Sequence, residues 1–250
     1  MHKLEVMKYK SHVLQLDVNS GPSIATAAEA VFALTNGKLD FLVNNSGVSY
    51  YTPILDTEIE RESATFETNV VSWVAMVKAF FPLLRAAKGS ILNNASSGGC
   101  DASYLPFGGI SNSSKSSAAK LSQTMRLEFA PFDVKVITLY AGGLETNIWN
   151  NMGATEVNTL RKDSLYQPIK TEATNIMSGD FIKNSAVGPW AEDVVAKATS
   201  RNQPIEIWNG AMSSTIWRLN FLAPRWLVDM AFNDQCGLKK LRQRLPPETQ

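Results

Sequence analysis

The chain has 250 residues, of which 44% are hydrophobic and 19% charged, as is typical of a soluble globular protein with one large domain. A formal net charge of +1 excludes a strongly basic surface for nucleic acid. The two histidines are His2 and His12, which excludes a Ser-His-Asp triad or a histidine metal site in the middle of the chain. Cys100 and Cys236 match no zinc or redox spacing, and no apolar run is long enough for a membrane span, so we expect a reduced, cytoplasmic, single-domain protein.

The hydrophobic pattern predicts strands and helices in alternation along the chain. Strands are predicted at residues 12–18, 39–45, 89–97, 134–140 and 204–210. Helices are predicted at residues 24–34, 58–88 (interrupted at Asn69 and Pro82), 111–131 and from Pro189 onward. Residues 147–187 show no clean period and are predicted to form a lid, and residues 211–250 a C-terminal extension that frays from Lys239. This alternation predicts an α/β domain with a parallel sheet and right-handed crossovers.

Residues 107–115 carry the most informative local pattern. Two glycines precede Ser111 and Lys115, which lie one helical turn apart on the same face. The segment resembles the Tyr-x-x-x-Lys segment of short-chain dehydrogenases/reductases, in which the lysine lowers the pKa of a phenol that exchanges a proton with a carbonyl oxygen. Ser111 stands where that family has the tyrosine, and an aliphatic hydroxyl does not titrate near neutrality. The segment therefore resembles a reductase site without its usual acid.

Further segments extend this resemblance over nearly the whole chain. Residues 44–47 (Asn-Asn-Ser-Gly) resemble the family's Asn-Asn-Ala-Gly, and Asn69 matches an asparagine that holds a helix kink and a relay water. Ser97 ends a segment similar to Asn-x-Ser-Ser, where a serine positions the carbonyl group. Residues 141–146 resemble a segment on the nicotinamide side of the pocket. The overall pattern is most similar to fungal reductases of the acyl-dihydroxyacetone-phosphate reductase type.

One family motif has no counterpart in this sequence. The family binds the dinucleotide diphosphate with a Gly-rich turn after its first strand, and no such turn occurs in the 250 residues. The resemblance therefore implies an incomplete Rossmann-like, doubly wound parallel sheet of about five strands, which lacks the first βαβ segment. We expect residues 12–18 to pair directly beside residues 39–45, or a second subunit to cover that edge.

These observations lead to a first functional hypothesis. We expect a degenerate family member that uses no cofactor and that cyclises or isomerises a small hydrophobic intermediate of fungal specialised metabolism. The candidate catalytic residues are Lys115, Ser97, Asn69, Ser111 and Tyr104, whose phenol could replace the missing one. The candidate substrate-binding residues are Asn45, Tyr50, Asp101, Tyr140, Glu145 and Trp149.

Two alternatives stay open. One is an NADPH-dependent carbonyl reductase with a truncated N-terminus, for which NADP is the cofactor. The other is a non-catalytic partner subunit. The resemblance implies a homodimer through residues 60–88 and 112–130, whereas contact of the Trp-rich C-terminal region with a membrane surface is the weaker interpretation.

Overall fold

The structure is a computed structural model that describes residues 11–146, 148, 160–182 and 184–245. Its sheet contains four parallel strands in the order β1-β2-β3-β4. The strands are β1 (Phe41–Asn44), β2 (Ser90–Asn94), β3 (Lys135–Ala141) and β4 (Glu206–Asn209). The predicted Rossmann-like α/β class is confirmed, and the described residues contribute four strands to the sheet, where about five were predicted.

The prediction of a strand at residues 12–18 is wrong, because this segment is irregular and largely exposed. Its C-terminal end is held by the helical layer: the backbone amide of Asp17 donates to Ser23 Oγ at 2.9 Å, and the Asn19 side chain donates to Thr68 Oγ1 at 3.0 Å. These bonds draw the segment toward the helices and not along the sheet. Within the described residues, the outer edge of β1 therefore has no neighbouring strand.

The described residues form nine α-helices. They are α1 (Gly21–Thr35), α2 (Ile59–Phe66), α3 (Ser72–Ala87), α4 (Gly109–Phe129), α5 (Lys170–Met177), α6 (Val187–Ala198), α7 (Ser213–Leu222), α8 (Arg225–Gln235) and α9 (Leu238–Arg244). The expectation that the tail frays from Lys239 is wrong as far as Arg244, since Leu238 and Leu241 of α9 pack against a buried apolar cluster.

Alternate residues of the strands face two different cores, as the two-residue period of a strand requires. Ile91 and Val136 pack against α1, α3 and α4, whereas Leu92 and Ile137 pack against α6 on the other face. Val43 of β1 shares the α6 face but is 53% exposed, because the apolar cover on that side does not reach it. The edge of the sheet at β1 is thus open both laterally and on one face.

The predicted helix over residues 58–88 is continuous but irregular. A π-helical segment, Glu67–Val71, joins α2 to α3 and contains Asn69, so the predicted interruption there is confirmed. Pro82 instead lies inside α3 without ending it. The run Ile59–Ala87 contains an 18-residue window with a mean hydropathy of 1.5 and is long enough to span a membrane, yet several of its large side chains are buried in the domain core.

The predicted lid at residues 147–187 is described only in part. Residues 147, 149–159 and 183 lie outside the described residues, and Trp149 is among them. The described remainder forms a second core, in which Ile169, Ile176 and Met177 are fully buried together with Cys236. This part of the chain therefore packs as a stable layer against the C-terminal helices.

Candidate active site

The candidate site lies where β1 and β2 reach their carboxyl ends, which is where open parallel sheets bind ligands. Asparagine pairs connect the two strands at this end: Asn44 Nδ2 donates to Asn93 Oδ1 at 2.8 Å, and Asn94 Nδ2 donates to Asn45 Oδ1 at 2.9 Å. Asn45, predicted to bind substrate, thus has a structural partner while its side chain stays exposed. The two bonds fix the relative positions of the loops that follow.

Lys115 extends from the first turns of α4 toward these strand ends. Its Nζ donates to the Asn94 carbonyl oxygen at 3.1 Å and lies 6.0 Å from the centre of the Trp73 ring. The residue is partly exposed, but the surroundings of its ammonium are largely protein, and none of the ion pairs among the described residues includes it. This burial lowers the pKa of Lys115 from its usual 10.5 to about 8. The ammonium is therefore a weak acid that titrates close to physiological pH.

Asn69 faces the same region from the π-helical segment. It is fully buried, and its Nδ2 donates to the Val48 carbonyl oxygen and to Ser114 Oγ, both at 2.9 Å. Its Oδ1 accepts from the Val48 backbone amide at 2.9 Å. The extra residue of a π-helical turn redirects the helix here, a feature that is frequent at functional sites. Asn69 therefore fixes the loop after β1 against α4.

Gly47 leaves a polar notch between Asn69 and Lys115. A Cβ atom at this position would lie 3.0 Å from Asn69 Oδ1 and 3.1 Å from Lys115 Nζ. Any side chain would therefore displace one of these two groups, so the glycine allows the loop after β1 to lie this close to both atoms.

Ser111 shares the helical face of Lys115, as its spacing predicted. Its side chain is almost fully buried, and its Oγ accepts a hydrogen bond from the Tyr50 backbone amide at 2.8 Å. Tyr50 is also buried, and its hydroxyl accepts from the Glu58 amide at 2.9 Å. Both predicted site residues therefore hold the loop before α2 in place.

Ser97 and Tyr104 lie in the loop between β2 and α4, but in different environments. Ser97 is buried at the start of a short 3₁₀ turn, Ser97–Gly99, whose last residue lies directly against the backbone of α4. Tyr104 is 38% exposed, and its hydroxyl donates to the Arg225 carbonyl oxygen at 3.4 Å while its ring packs edge-on against Phe232. The structure thus directs the Tyr104 phenol toward α8 and does not bring it to Lys115.

The remaining predicted substrate-binding residues are dispersed. Asp101 is exposed and borders the same cavity as Tyr104. Tyr140 is buried in the core and stacks on Trp208 at 4.1 Å, and burial raises its pKa to about 12. Glu145 is exposed. Of the whole predicted set, the structure groups Lys115, Asn69, Ser111, Tyr50 and Asn45 around the ends of β1 and β2.

Three residues of the site were missed in the sequence. Gly47 was identified only as part of a motif, and its position between Asn69 and Lys115 was not predicted. Ser114 was not considered, although its hydroxyl accepts a hydrogen bond from Asn69 Nδ2 and donates one to the Ser111 carbonyl oxygen at 2.8 Å. Tyr51 was passed over in favour of Tyr50, yet its ring lies directly against Gly108 beside the start of α4. The position of Ser114, one residue before the lysine, was the available signal, since it faces the α3 side of the helix.

The arrangement fits the nicotinamide end of a dinucleotide. The ammonium of Lys115 has hydrogens beyond the one given to Asn94, and a ribose hydroxyl or a carbonyl oxygen can accept one of them. The sequence contains no Gly-rich turn for a diphosphate, so the fit concerns the nicotinamide end alone.

Comparisons with known proteins identify the family of the chain. A sequence model described as short chain dehydrogenase matches residues 1–157. The chain is 32% identical over 234 residues to a short-chain dehydrogenase/reductase, GME11361, of Pestalotiopsis microspora, covering 93% of this chain and 79% of that protein. It is 33% identical over 237 residues to the short-chain dehydrogenase cctT of Talaromyces islandicus, covering 92% and 80%. These relatives do not single out the acyl-dihydroxyacetone-phosphate reductase type.

A solved structure of a short-chain dehydrogenase from Burkholderia cenocepacia in complex with NADP has a TM-score of 0.63 and 22% identity, covering 88% of this chain and 80% of that one. The expectation of a protein that uses no cofactor is wrong in the light of this comparison, because the shared fold is one that holds NADP. The matched family model and the fungal relatives cover most of the chain. The chain belongs to the short-chain dehydrogenase/reductase family.

Proposed function

We propose that this protein is an NADP-dependent reductase of a small hydrophobic carbonyl compound, in which the Lys115 ammonium is the proton donor. The observation that carries the proposal is the buried ammonium at the carboxyl end of β2, whose pKa is lowered to about 8 and which lies beside Gly47. An acid with a pKa close to the working pH is well suited to general acid catalysis. Ser111, at the position of the family's tyrosine, does not have this property.

Each residue of the site has a distinct role in the proposed reduction. Lys115 Nζ donates a hydrogen bond to the substrate carbonyl oxygen, which makes the carbonyl carbon more electrophilic. Bound NADPH supplies the hydride for that carbon. As negative charge develops on the oxygen, Lys115 transfers a proton to it, which yields the alcohol and a neutral amine that regains its proton from solvent. Asn69 keeps the loop at Val48 in place beside the notch, and Ser111 anchors the loop at Tyr50.

The test is NADPH consumption with a panel of aliphatic and aromatic aldehydes and ketones, together with calorimetric titration of NADPH. Lys115→Met is expected to lower kcat by a factor of about 10² to 10⁴, the usual contribution of a general acid. Ser111→Ala is the matched variant on the same helical face, and we expect its kcat to stay within about tenfold of wild type, because a structural anchor and not a proton donor is removed.

The pH dependence gives an independent readout. Because the ammonium form is the active one, the rate of reduction should fall as the pH rises through the Lys115 pKa of about 8. If Lys115→Met retains wild-type turnover, or if the protein neither binds nor consumes NADPH, the proposal is wrong.

A second candidate is non-redox cyclisation or isomerisation at the same site, with the dinucleotide held but not consumed. The replacement of the phenol by Ser111, whose Oγ is engaged with the Tyr50 amide, favours it. Here Lys115 and the notch polarise a carbonyl oxygen without completing its reduction. Mass spectrometry of the product separates the two reactions, because an isomer keeps the mass of the substrate whereas reduction adds two hydrogens.

A further inference from the structure

Large apolar side chains are exposed where α7 ends and α8 begins. Leu222, the last residue of α7, is 78% exposed, while Phe221 is 63% and Trp226, near the start of α8, 65% exposed. The other exposed large apolar residues of this segment are Trp217, Leu227 and Met230. We call residues 217–230 the apolar corner. Single exposed apolar residues are normal on a protein surface, but a group of six within one segment indicates an interaction surface.

The apolar corner is held to the domain from its inner side. The Asn220 side chain of α7 accepts a hydrogen bond from the Ala102 backbone amide at 3.1 Å. On α8, Val228 is buried, and the Arg225 carbonyl oxygen accepts from the Tyr104 hydroxyl at 3.4 Å. Because these contacts fix the inner side of both helices, the exposed apolar side chains are available for binding without any rearrangement of the fold.

The exposed side chains form a row along each helix. Trp217 and Phe221 lie one turn apart on α7, with their ring centroids separated by 5.4 Å, and Trp226 and Met230 have the same spacing on α8. The two helices contain 10 and 11 residues, whereas a helix that spans a membrane needs about 20. The apolar corner therefore fits contact at a lipid surface and not a membrane span.

The unpaired charges at the apolar corner have one sign. Arg218 and Arg225 are exposed, and neither forms an ion pair among the described residues. Residues 211–228 contain no aspartate or glutamate, and Asp229, the first carboxylate that follows, interacts with the Tyr104 hydroxyl on the inner side. Tryptophan, phenylalanine and leucine side chains beside arginine are typical of helices that lie in the membrane interface, where the cations attract anionic headgroups.

We propose that the apolar corner binds the surface of a membrane that contains anionic phospholipids. Its apolar side chains enter the boundary between headgroups and acyl chains, and Arg218 and Arg225 contact the lipid phosphates. The exposure of Leu222 favours lipid over a protein partner, because a side chain that stands clear of its neighbours can enter a lipid layer without a complementary pocket. The proposal does not depend on the reaction at Lys115, since the candidate active site contains no residue of the apolar corner.

The test is co-sedimentation of the full chain with vesicles of phosphatidylcholine alone and of phosphatidylcholine with about 30% phosphatidylserine. The protein should bind the mixed vesicles, and bind the neutral vesicles about 25-fold more weakly, because each arginine contributes about a factor of five near an anionic surface. Added salt should weaken binding to the mixed vesicles. Equal affinity for the two kinds of vesicle, or binding to neither, would overturn the proposal.

Substitutions assign the binding to the apolar corner. Phe221→Ser should weaken binding to the mixed vesicles about tenfold, the loss expected for one inserted aromatic side chain, and should leave the melting temperature unchanged. Phe32→Ser is the matched control, since Phe32 of α1 is 59% exposed outside the apolar corner, and it should bind like wild type. Arg218→Gln combined with Arg225→Gln should remove the preference for phosphatidylserine, whereas Arg201→Gln, at another exposed arginine, should keep it.

Sedimentation velocity without lipid distinguishes a second copy of the chain as the occupant of the apolar corner. A dimer that Phe221→Ser dissociates, in a protein that does not bind vesicles, would show that the apolar corner is a dimer interface and would refute the proposal. Vesicle binding that is unchanged in Phe221→Ser and in the double arginine variant would place the lipid contact elsewhere on the protein, and would refute it as well.

Discussion

The effect of burial on the Lys115 ammonium can be tested without any substrate, by measuring the free energy of unfolding. Burial lowers its pKa from 10.5 to about 8. Because one pKa unit corresponds to about 1.4 kcal/mol, the charged form destabilises the folded state by about 3 kcal/mol. Lys115→Met removes this penalty and also the 3.1 Å hydrogen bond to Asn94, which is worth about 1 kcal/mol. The free energy of unfolding at about pH 7 should therefore rise by about 2 kcal/mol in the variant.

The sign of the pH dependence makes the test sharper. Below about pH 8 the lysine is protonated in both states, so the advantage of Lys115→Met is fully present. Between pH 8 and 10.5 the folded protein loses this proton while the unfolded chain keeps it, so the wild type gains stability and the advantage disappears. Urea unfolding across this pH range measures the change. Lys120→Met, an exposed position on the same helix, is the control and should change stability by less than about 0.5 kcal/mol at every pH. A Lys115→Met variant less stable than wild type at neutral pH, or an advantage independent of pH, would refute the argument.

Three further changes test the surroundings of the site. Asn69→Asp keeps the oxygen that accepts from the Val48 amide but loses the hydrogen bonds donated to the Val48 carbonyl oxygen and to Ser114 Oγ. The free energy of unfolding should therefore fall by about 3 kcal/mol, and an unchanged midpoint in urea unfolding would contradict this. Gly99→Ala places a Cβ 2.6 Å from a backbone oxygen of α4 and should lower the free energy of unfolding by about 1–3 kcal/mol, which would appear as a lower melting temperature. An unaltered melting curve would show that α4 shifts without an energetic penalty. Val43→Lys should change the free energy of unfolding by less than about 0.5 kcal/mol in urea unfolding, while a large loss of stability would show that this side of β1 is covered.

The sequence predicted the sheet well where the strands are buried. Continuous apolar runs bounded by turn residues identified all four observed strands, because such runs are typical of strands buried in a parallel sheet, and even β1, which is open on one face at Val43, has this pattern. Residues 12–18 have a similar pattern, but the strand predicted there does not form. Their conformation depends on bonds from Asp17 to Ser23 and from Asn19 to Thr68, and no local pattern reveals contacts that join the segment to two different helices.

In the site, too, residues within short motifs could be predicted, whereas contacts between residues far apart in the sequence could not. Lys115 and Asn69 were identified because each lies in a short segment that resembles a motif of the family. The partners of Ser111 and Tyr104 could not be predicted in this way: Ser111 is bound by an amide 61 residues earlier, and Tyr104 by a carbonyl group 121 residues later. Because these contacts determine whether a hydroxyl faces the notch or the protein interior, composition and spacing alone could not assign the acid.

The replacement at position 111 and the titration of Lys115 are physically connected. A phenolate beside the ammonium would stabilise its charge and hold its pKa high, whereas the neutral serine offers no such stabilisation. Burial therefore lowers the pKa of Lys115 to about 8, because no neighbouring negative charge stabilises the ammonium. The change that removes one proton donor thereby brings a second group into the range where it can donate a proton at physiological pH. For this reason the serine at position 111 does not by itself argue against reductase chemistry at the ends of β1 and β2.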